Sequence, residues 1–470
     1  MNGLKPGSHI HLVGICGTAM ASLAGILKTQ GFKITGSDQN VYPPMSTQLA
    51  QLKIPVANGY KPENLNPRPD LVVIGNVISR GNPEADAVLA QEIPYTSLPK
   101  ALGEFVIAKR NSFVVAGTHG KTTTTSLLAW VTEKIGLKPG FLIGGIPLNF
   151  EYSFRSPAAD TFVIEGDEYD TAFFDKVPKF IHYRPRHVIL TSVEFDHADI
   201  YRDLEHVKSA FRSLLELIPP EGTLVYHAAD PNIADLLKFC KAKNQVGYGV
   251  ASGNYQMSKR ESLHGRNQFS VIREGKAVAD LALKIFGEHN SLNALSVYAM
   301  ADVLGWNEST VLQALSDFKG VKRRQELLGE VAGITVIEDF AHHPTAVDLT
   351  LRSMKEQFPG RRIIAVFEPR SATSRRSIFQ QQYAQAFRSA DAIFVARPYD
   401  QSKISETDRF STDKLIQDLQ RTGQHAESGS GVDELIDRIK VWAKPKDVIL
   451  IMSNGGFDGI YQKLMEKLGR

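Results

Sequence analysis

The sequence predicts an α/β protein of three domains, and three observations predict it. Short apolar runs alternate with stretches of helical periodicity along the chain, the pattern of parallel βαβ units. That pattern restarts twice, near residues 110 and 320. The 470 residues suffice for two to four domains, each with its own core.

Taken in order, "HIHLVGICG" is a buried strand running into a glycine turn, and "TAMASLAGILKTQG" an amphipathic helix stopped by Gly31. "FKITGSD" and "DLVVIGN" give two further strands. The second block opens at "NSFVVAGTHGKTTTTSLLAWVTEKIG" as strand, loop and helix. It continues with the strands "TFVIEGDEYD", "HVILTSVEFDH" and "GTLVYHAADP". Between about residues 245 and 285 the periodicity becomes irregular and reads as hairpins, after which "GEHNSLNALSVYAMADVLG" restores a helix. The third block begins near "GVKRRQELLGE" and carries the strands "ITVIEDFAHH", "RIIAVFEPRS", "DAIFVARPYD" and "DVILIMSNGG".

Composition removes several function classes. Basic and acidic residues nearly cancel, 54 against 51, so no electrostatic case exists for nucleic acid or an anionic membrane. Cys16 and Cys240 are the only cysteines, too few for a disulfide framework or a thiolate metal site. No apolar run approaches the roughly 18 residues of a membrane span, and no signal-peptide layout opens the chain. The expected compartment is the cytoplasm.

The chemistry concentrates at "AGTHGKTTTTS" (Ala116 to Ser126). A strand feeding a glycine turn that opens a helix is a phosphate cradle, because the free N–H groups of the first helical turn point at an anion. The usual loop reads G-x-x-x-x-G-K-[ST], whereas here the spacing is G-x-x-G-K-T. Lys121 belongs between the β- and γ-phosphates, and the Thr122 hydroxyl on Mg²⁺. Ligands gather at the carboxyl ends of parallel strands. There "TFVIEGDEYD" places Glu165, Asp167, Glu168 and Asp170, and "TSVEFDHAD" places Glu194, Asp196, His197 and Asp199. Nucleotide-bound Mg²⁺ takes one or two carboxylates, water and phosphate oxygens. "GICGTA" departs from the dinucleotide fingerprint G-x-G-x-x-G, since Cys16 stands at its second glycine and reads as a small packing residue.

"GTHGKTT", "VIEGDEYD", "EFDHADIY", "GEHNSLNA" and "EDFAHHPTA", in this order, resemble the Mur ligase family, the ATP-dependent amide-bond ligases of peptidoglycan synthesis. The resemblance covers nearly the whole chain. The family's loop reads G-T-x-G-K-[ST], so the short spacing is its normal form. What it implies is a Rossmann-like domain over residues 1–110 for UDP-N-acetylmuramate, a P-loop ATPase-like domain over 111–320, and a Rossmann-like peptide-binding domain over 321–470. Gly117, Thr118, His119, Gly120, Lys121, Thr122 and Thr123 would hold the ATP phosphates, with Asn293, Arg324 and Asp339 completing the nucleotide site. Arg323 neighbours Arg324, so their side chains diverge and only Arg324 is expected at the nucleotide. Lys121, Glu165 and His197 carry the catalytic expectation, and Thr122, Glu165 and His197 match the family's Mg²⁺ positions.

For the uridine nucleotide the resemblance implies Gly14, Gly17, Thr18 and Asp38, extended along pyrophosphate and sugar by Ser79, Asn82, Gly145 and Asn149. His343, Arg370, Ser371 and Asn454 fall where the incoming peptide belongs, with Arg375 or Arg376 for a second carboxylate and Asp400 or Asp458 for an ammonium. "HLVGICGTAM", "TGSDQNVYPPMS", "AFFDKVPKFIHYRP" and "MSNGGFDGI" are most similar to the members that take UDP-N-acetylmuramate and join it to the salvaged tripeptide L-alanyl-γ-D-glutamyl-meso-diaminopimelate. The alternative within the family adds free L-alanine. One departure stands out: several members carry a carbamylated lysine beside the metal, and Phe211 occupies that position here.

Overall fold

The structure, a computed structural model, describes residues 4–41 and 45–469; part of "TGSDQNVYPPMS" lies outside them. The chain divides into two compact units. The first comprises Met1–Glu194, Leu204–Gln256 and Ala294–Ala314, the second Phe195–Asp203, Met257–Asn293 and Leu315–Arg470.

In the first unit β1 (His9–Val13), β2 (Lys33–Asp38), β3 (Val56–Asn58), β4 (Leu71–Ile74) and β5 (Tyr95–Ser97) pair in parallel, in the order β3-β2-β1-β4-β5. Every residue of β1 and β4 is buried, which explains why both read as apolar runs. The order reverses between β1 and β4, and the crevice at such a point is where α/β sheets bind ligands.

The same unit holds a second sheet. Its strands are β6 (Asn111–Ala116), β7 (Gly140–Leu142), β8 (Phe154–Arg155), β9 (Thr161–Gly166), β12 (His187–Leu190), β13 (Thr223–His227), β14 (Asn244–Gly249) and β15 (Tyr255–Met257). Their order is β15-β14-β13-β12-β6-β9-β7-β8, parallel except β8. A small hairpin, β10 (Asp170–Ala172) with β11 (Asp175–Pro178), follows β9. β6 lies between β9 and β12, so the loop leaving β6 is flanked by the carboxyl ends of both neighbours.

The second unit has an antiparallel ribbon of β16 (Glu261–Leu263), β17 (Arg266–Arg273) and β18 (Lys276–Leu283), the hairpins expected there. Its main sheet has β19 (Glu326–Val331), β20 (Ile334–Asp339), β21 (Ile363–Phe367), β22 (Ala392–Val395), β23 (His425–Ser428) and β24 (Val448–Met452), in the order β19-β20-β24-β21-β22-β23 with β19 antiparallel. Alternate residues of β21 feed opposite cores. Ile363, Ala365 and Phe367 join Leu351 and Tyr383, while Ile364 and Val366 join Leu435 and Leu464. No described helix is long and apolar enough to cross a membrane.

Candidate functional site

β6 delivers the chain into Gly117, with φ at +132°. A Cβ there would lie 2.2 Å from Thr191 Oγ1 and 2.8 Å from the Ser192 nitrogen, so only glycine fits. The residues after β12 hold the loop. The Thr118 N–H donates to the Ser192 carbonyl at 2.9 Å, the His119 N–H to Ser192 Oγ at 3.0 Å, and Thr191 Oγ1 to the His119 carbonyl at 2.5 Å. Gly120, with φ at +81°, leads into the helix Lys121–Lys134 and offers no side-chain cap. The first N–H groups of that helix therefore face an open loop, the geometry an anion needs.

Lys121 Nζ donates to the Gly117 carbonyl at 2.5 Å and to Glu168 Oε2 at 2.8 Å. Burial alone would lower its pKa. The carboxylates of Glu168, Asp167 and Glu165 outweigh burial and raise it, so the ammonium stays charged. Thr122 Oγ1 donates to Glu165 Oε1 at 2.8 Å, and the Gly144 N–H donates to Glu165 Oε2 at 2.8 Å. Burial and the charge of Asp167 push the Glu165 carboxyl up, against Lys121, the Gly144 N–H and Thr122. Asp167 ends below its usual value because Lys179, at 3.1 Å, and Lys121 overcome burial. Glu165 is thus a half-buried carboxylate short of positive charge, with a hydroxyl oxygen beside it. Hard oxygen donors with surplus negative charge suit Mg²⁺, so these residues fit the ion.

Of the three expected Mg²⁺ positions, the structure brings Thr122 and Glu165 together in the first unit, while His197 belongs to the second. His197 has φ at +53°, and its N–H donates to Asp196 Oδ1 at 2.7 Å. Glu168 was legible as a strand-end carboxylate, but not as the partner of Lys121. Thr191, Ser192 and Gly144 carried no signal, because their role lies in backbone position and one hydroxyl.

In the first sheet Gly14, with φ at +85°, and Gly17 bracket the turn between β1 and the helix Thr18–Thr29. Asp38, at the end of β2, accepts from the Cys16 N–H at 2.9 Å and the Asn40 N–H at 2.9 Å. Burial, then Asp38, pushes the Cys16 thiol up to about 11, consistent with a packing role. Asn82 Oδ1 caps the helix Pro83–Ala90 through the Glu84 and Ala85 N–H groups. Glu84 is fully buried and ties His11, Ser37 and Asn64 together beneath the turn, a network the sequence did not announce. Ser79 is exposed, and Gly145 and Asn149 are half-buried.

In the second unit Asn293 Nδ2 donates to Asn290 Oδ1 at 3.3 Å. Both paired arginines lie over the Phe340 ring, Arg323 at 5.3 Å and Arg324 at 4.6 Å. Arg323 is in addition spent on Glu338, the Ser453 carbonyl at 3.1 Å and the Gly455 carbonyl at 2.6 Å. Asp339 accepts from the Gln325 and Ala341 N–H groups; burial raises its pKa and Arg324 opposes the rise. His343 caps the helix Pro344–Gln357 and meets Phe379 edge-on, so part of its role is structural. Beyond β21, Ser371 Oγ accepts from the Ser374 N–H at 3.0 Å. Arg375 holds the Asp400 carbonyl and, more loosely, its carboxylate. Arg370 and Asn454 stand at the ends of β21 and β24, which are neighbours in the sheet.

Three family descriptions match the chain: "Mur ligase family, catalytic domain" over residues 9–110, "Mur ligase middle domain" over 115–301, and "Mur ligase, glutamate ligase domain" over 323–455. A UDP-N-acetylmuramate–L-alanyl-γ-D-glutamyl-meso-2,6-diaminoheptandioate ligase of Escherichia coli (strain K12) is 42% identical over 466 residues, 98% of each chain. A UDP-N-acetylmuramate–L-alanine ligase of Clostridium tetani is 32% identical over 454 residues, 96% of each. Among solved structures, a murein peptide ligase from Psychrobacter arcticus matches with a TM-score of 0.73 and 38% identity, covering 99% of both chains.

Proposed function

This chain belongs to the Mur ligase family, and from that premise we propose that it joins L-alanyl-γ-D-glutamyl-meso-diaminopimelate to UDP-N-acetylmuramate at the expense of ATP. One observation carries the choice of amine: the relative named for that peptide is 42% identical over nearly the full length, against 32% for the alanine ligase. The reaction serves reuse of peptide from the cell wall, in the cytoplasm, where ATP and nucleotide sugars are found. In this reading the three domains meet near residues 110 and 320. Gly14, Gly17, Thr18, Asp38, Ser79, Asn82, Gly145 and Asn149 bind the nucleotide sugar, and His343, Arg370, Ser371 and Asn454 the peptide.

A carboxylate does not acylate an amine at neutral pH, because its leaving group is oxide. Transfer of the γ-phosphoryl group to the lactyl carboxylate gives an acyl phosphate, and the peptide α-amine then displaces phosphate through a tetrahedral intermediate. Phosphoryl transfer is mostly positioning and charge neutralisation. Lys121 supplies a cation that its carboxylate neighbours keep protonated. The uncapped start of Lys121–Lys134 supplies N–H donors, while Asn293, Arg324 and Asp339 hold the rest of ATP. Thr122, Glu165 and His197 would hold Mg²⁺, which when bound supplies charge neutralisation on the phosphate oxygens. Phe211 is fully buried, with its ring 5.8 Å from that of Phe180, so no carbamate forms at that position.

The test is kcat/KM for the tripeptide and for free L-alanine, followed as ADP release under saturating ATP and UDP-N-acetylmuramate. The tripeptide should be the better amine by at least about tenfold, a difference of roughly 1.4 kcal/mol in transition-state binding. A preference for free L-alanine would make the protein the alanine-adding ligase.

A further inference from the structure

Where β21 and β24 end side by side, the structure builds a slot around one arginine. Glu368, the first residue after β21, is 4% exposed. Its N–H continues the ladder by donating to the Met452 carbonyl at 3.1 Å. One carboxylate oxygen accepts from Arg370 Nη1 at 3.3 Å, and the other from the Ser453 hydroxyl at 2.5 Å. Ser453 Oγ in turn accepts from the Gly455 N–H at 2.9 Å, so one buried carboxylate ties both strand ends together. Arg323 closes the turn from its own side by bonding the carbonyls of Ser453 and Gly455.

The Arg370 guanidinium is packed against two neighbours. Its Cζ lies 3.8 Å from the centre of the Tyr399 ring, and the Tyr399 N–H donates to the Pro369 carbonyl at 3.2 Å, which fixes that segment. Gly455 also packs close to the arginine: an added Cβ there would fall 2.0 Å from Arg370 Nε, so a larger residue would push the guanidinium out of place. The guanidinium is therefore stacked on one ring, crowded by Gly455 and anchored by Glu368, yet its side chain stays 25% exposed. On the residue before Gly455, Asn454 Oδ1 is a buried acceptor without a hydrogen-bond partner. A planar fork held this way offers paired N–H donors at a fixed angle, the arrangement that grips a carboxylate in bidentate fashion.

We propose that Glu368 and Gly455 are positioning residues that lock Arg370 against Tyr399, forming a rigid clamp for a carboxylate of the incoming peptide and so setting the choice of amine. This rests on the peptide-joining reading above and adds to it the residues that shape the subsite. The clamp makes amine selection a matter of planar geometry, so a lysine at position 370 is no substitute.

The experiment crosses enzyme variants with substrate variants. Wild type, Glu368→Gln, Gly455→Ala, Tyr399→Ala and Arg370→Lys are assayed with the tripeptide and with analogues in which one carboxylate is a carboxamide. For wild type, one such analogue should raise KM at least about tenfold, the usual scale for losing a charged hydrogen-bond pair. Each variant should raise the KM of the unmodified tripeptide by about tenfold or more, leave the KM values of ATP and UDP-N-acetylmuramate within about twofold, and no longer distinguish that analogue from the parent peptide. Unchanged tripeptide KM in Glu368→Gln and Tyr399→Ala would overturn the clamp. So would variants that weaken all three substrates together, or that still penalise the carboxamide in full. Absence of tripeptide turnover by wild type would instead remove the reading on which the clamp rests.

Discussion

At the scale of single residues, the phosphate loop turns on one ammonium. Lys121 sits between the Gly117 carbonyl and Glu168 with its charge secured by the carboxylates of Glu168, Asp167 and Glu165. Lys121→Ala should cut ADP release by roughly 10³-fold or more with the fold intact, the scale of removing a main electrostatic stabiliser. Near-normal turnover by a folded variant would refute that role. Cys16 gives the opposite kind of expectation. With its thiol pushed up to about 11, the thiolate is about one part in a thousand at pH 8. In a Cys240→Ser background, iodoacetamide should therefore label Cys16 on the order of 100-fold more slowly than free cysteine, a rate that mass spectrometry reads directly. Labelling at the free-thiol rate would show that Cys16 is neither buried nor held beside Asp38.

At the scale of elements, strand β12 opens on a histidine that the fold keeps neutral. His187 lies face to face with Phe113 at 4.7 Å, and its Nδ1 is buried without a hydrogen-bond partner. Burial, and then Arg186, lowers its pKa to about 4 from the ordinary 6.5. As pH falls, the unfolded chain takes up this proton first. The stability that neutral His187 contributes is therefore complete above pH 6.5 and lost progressively between 6.5 and 4, up to about 3 kcal/mol. His187→Phe should flatten the fall in Tm between pH 7 and 5 relative to wild type; an unchanged slope would remove His187 from the account. The strands legible in the sequence are those buried on both faces, such as β1, β4, β21 and β24, because a continuous apolar run survives in any register. β3, β7, β10 and β23 were not legible: β3, β7 and β10 are three residues long, and β3 and β23 are only partly buried. The site divides the same way. The glycine–lysine–threonine loop and the carboxylates after β9 announce themselves by residue type. Thr191, Gly144, Glu84 and Tyr399 act by where the fold carries them, which no local pattern records.

At the scale of the whole molecule, the proposed binding residues fall into two groups. Gly14, Thr18, Asp38 and the loop Gly117–Thr123 lie in the first unit, whereas His343, Arg370, Ser371 and Asn454 lie in the second. Each group stands at the carboxyl ends of its own parallel strands, where a doubly wound sheet leaves a crevice. The first sheet packs on Val13, Val72 and Ile74, and the main sheet of the second unit on Ala365, Phe367 and Leu450. A ligand protects most strongly the amides of the unit it binds, since it stabilises that unit by RT ln(1 + [L]/Kd), about 2.7 kcal/mol at a hundred times Kd. For amides that exchange only by opening of that unit, this slows exchange by up to about 100-fold. UDP-N-acetylmuramate alone should thus slow exchange in β1, β2 and the helix Thr18–Thr29, and leave residues 368–371 and 453–455 nearly unaffected. The tripeptide alone should give the converse map. The measurement needs no turnover, so it separates where each substrate binds from whether the chemistry proceeds. If the tripeptide protects β1 and β2 instead, or the nucleotide sugar protects residues 453–455, the division of substrates between the two units is wrong, even for an enzyme whose ligase activity is intact.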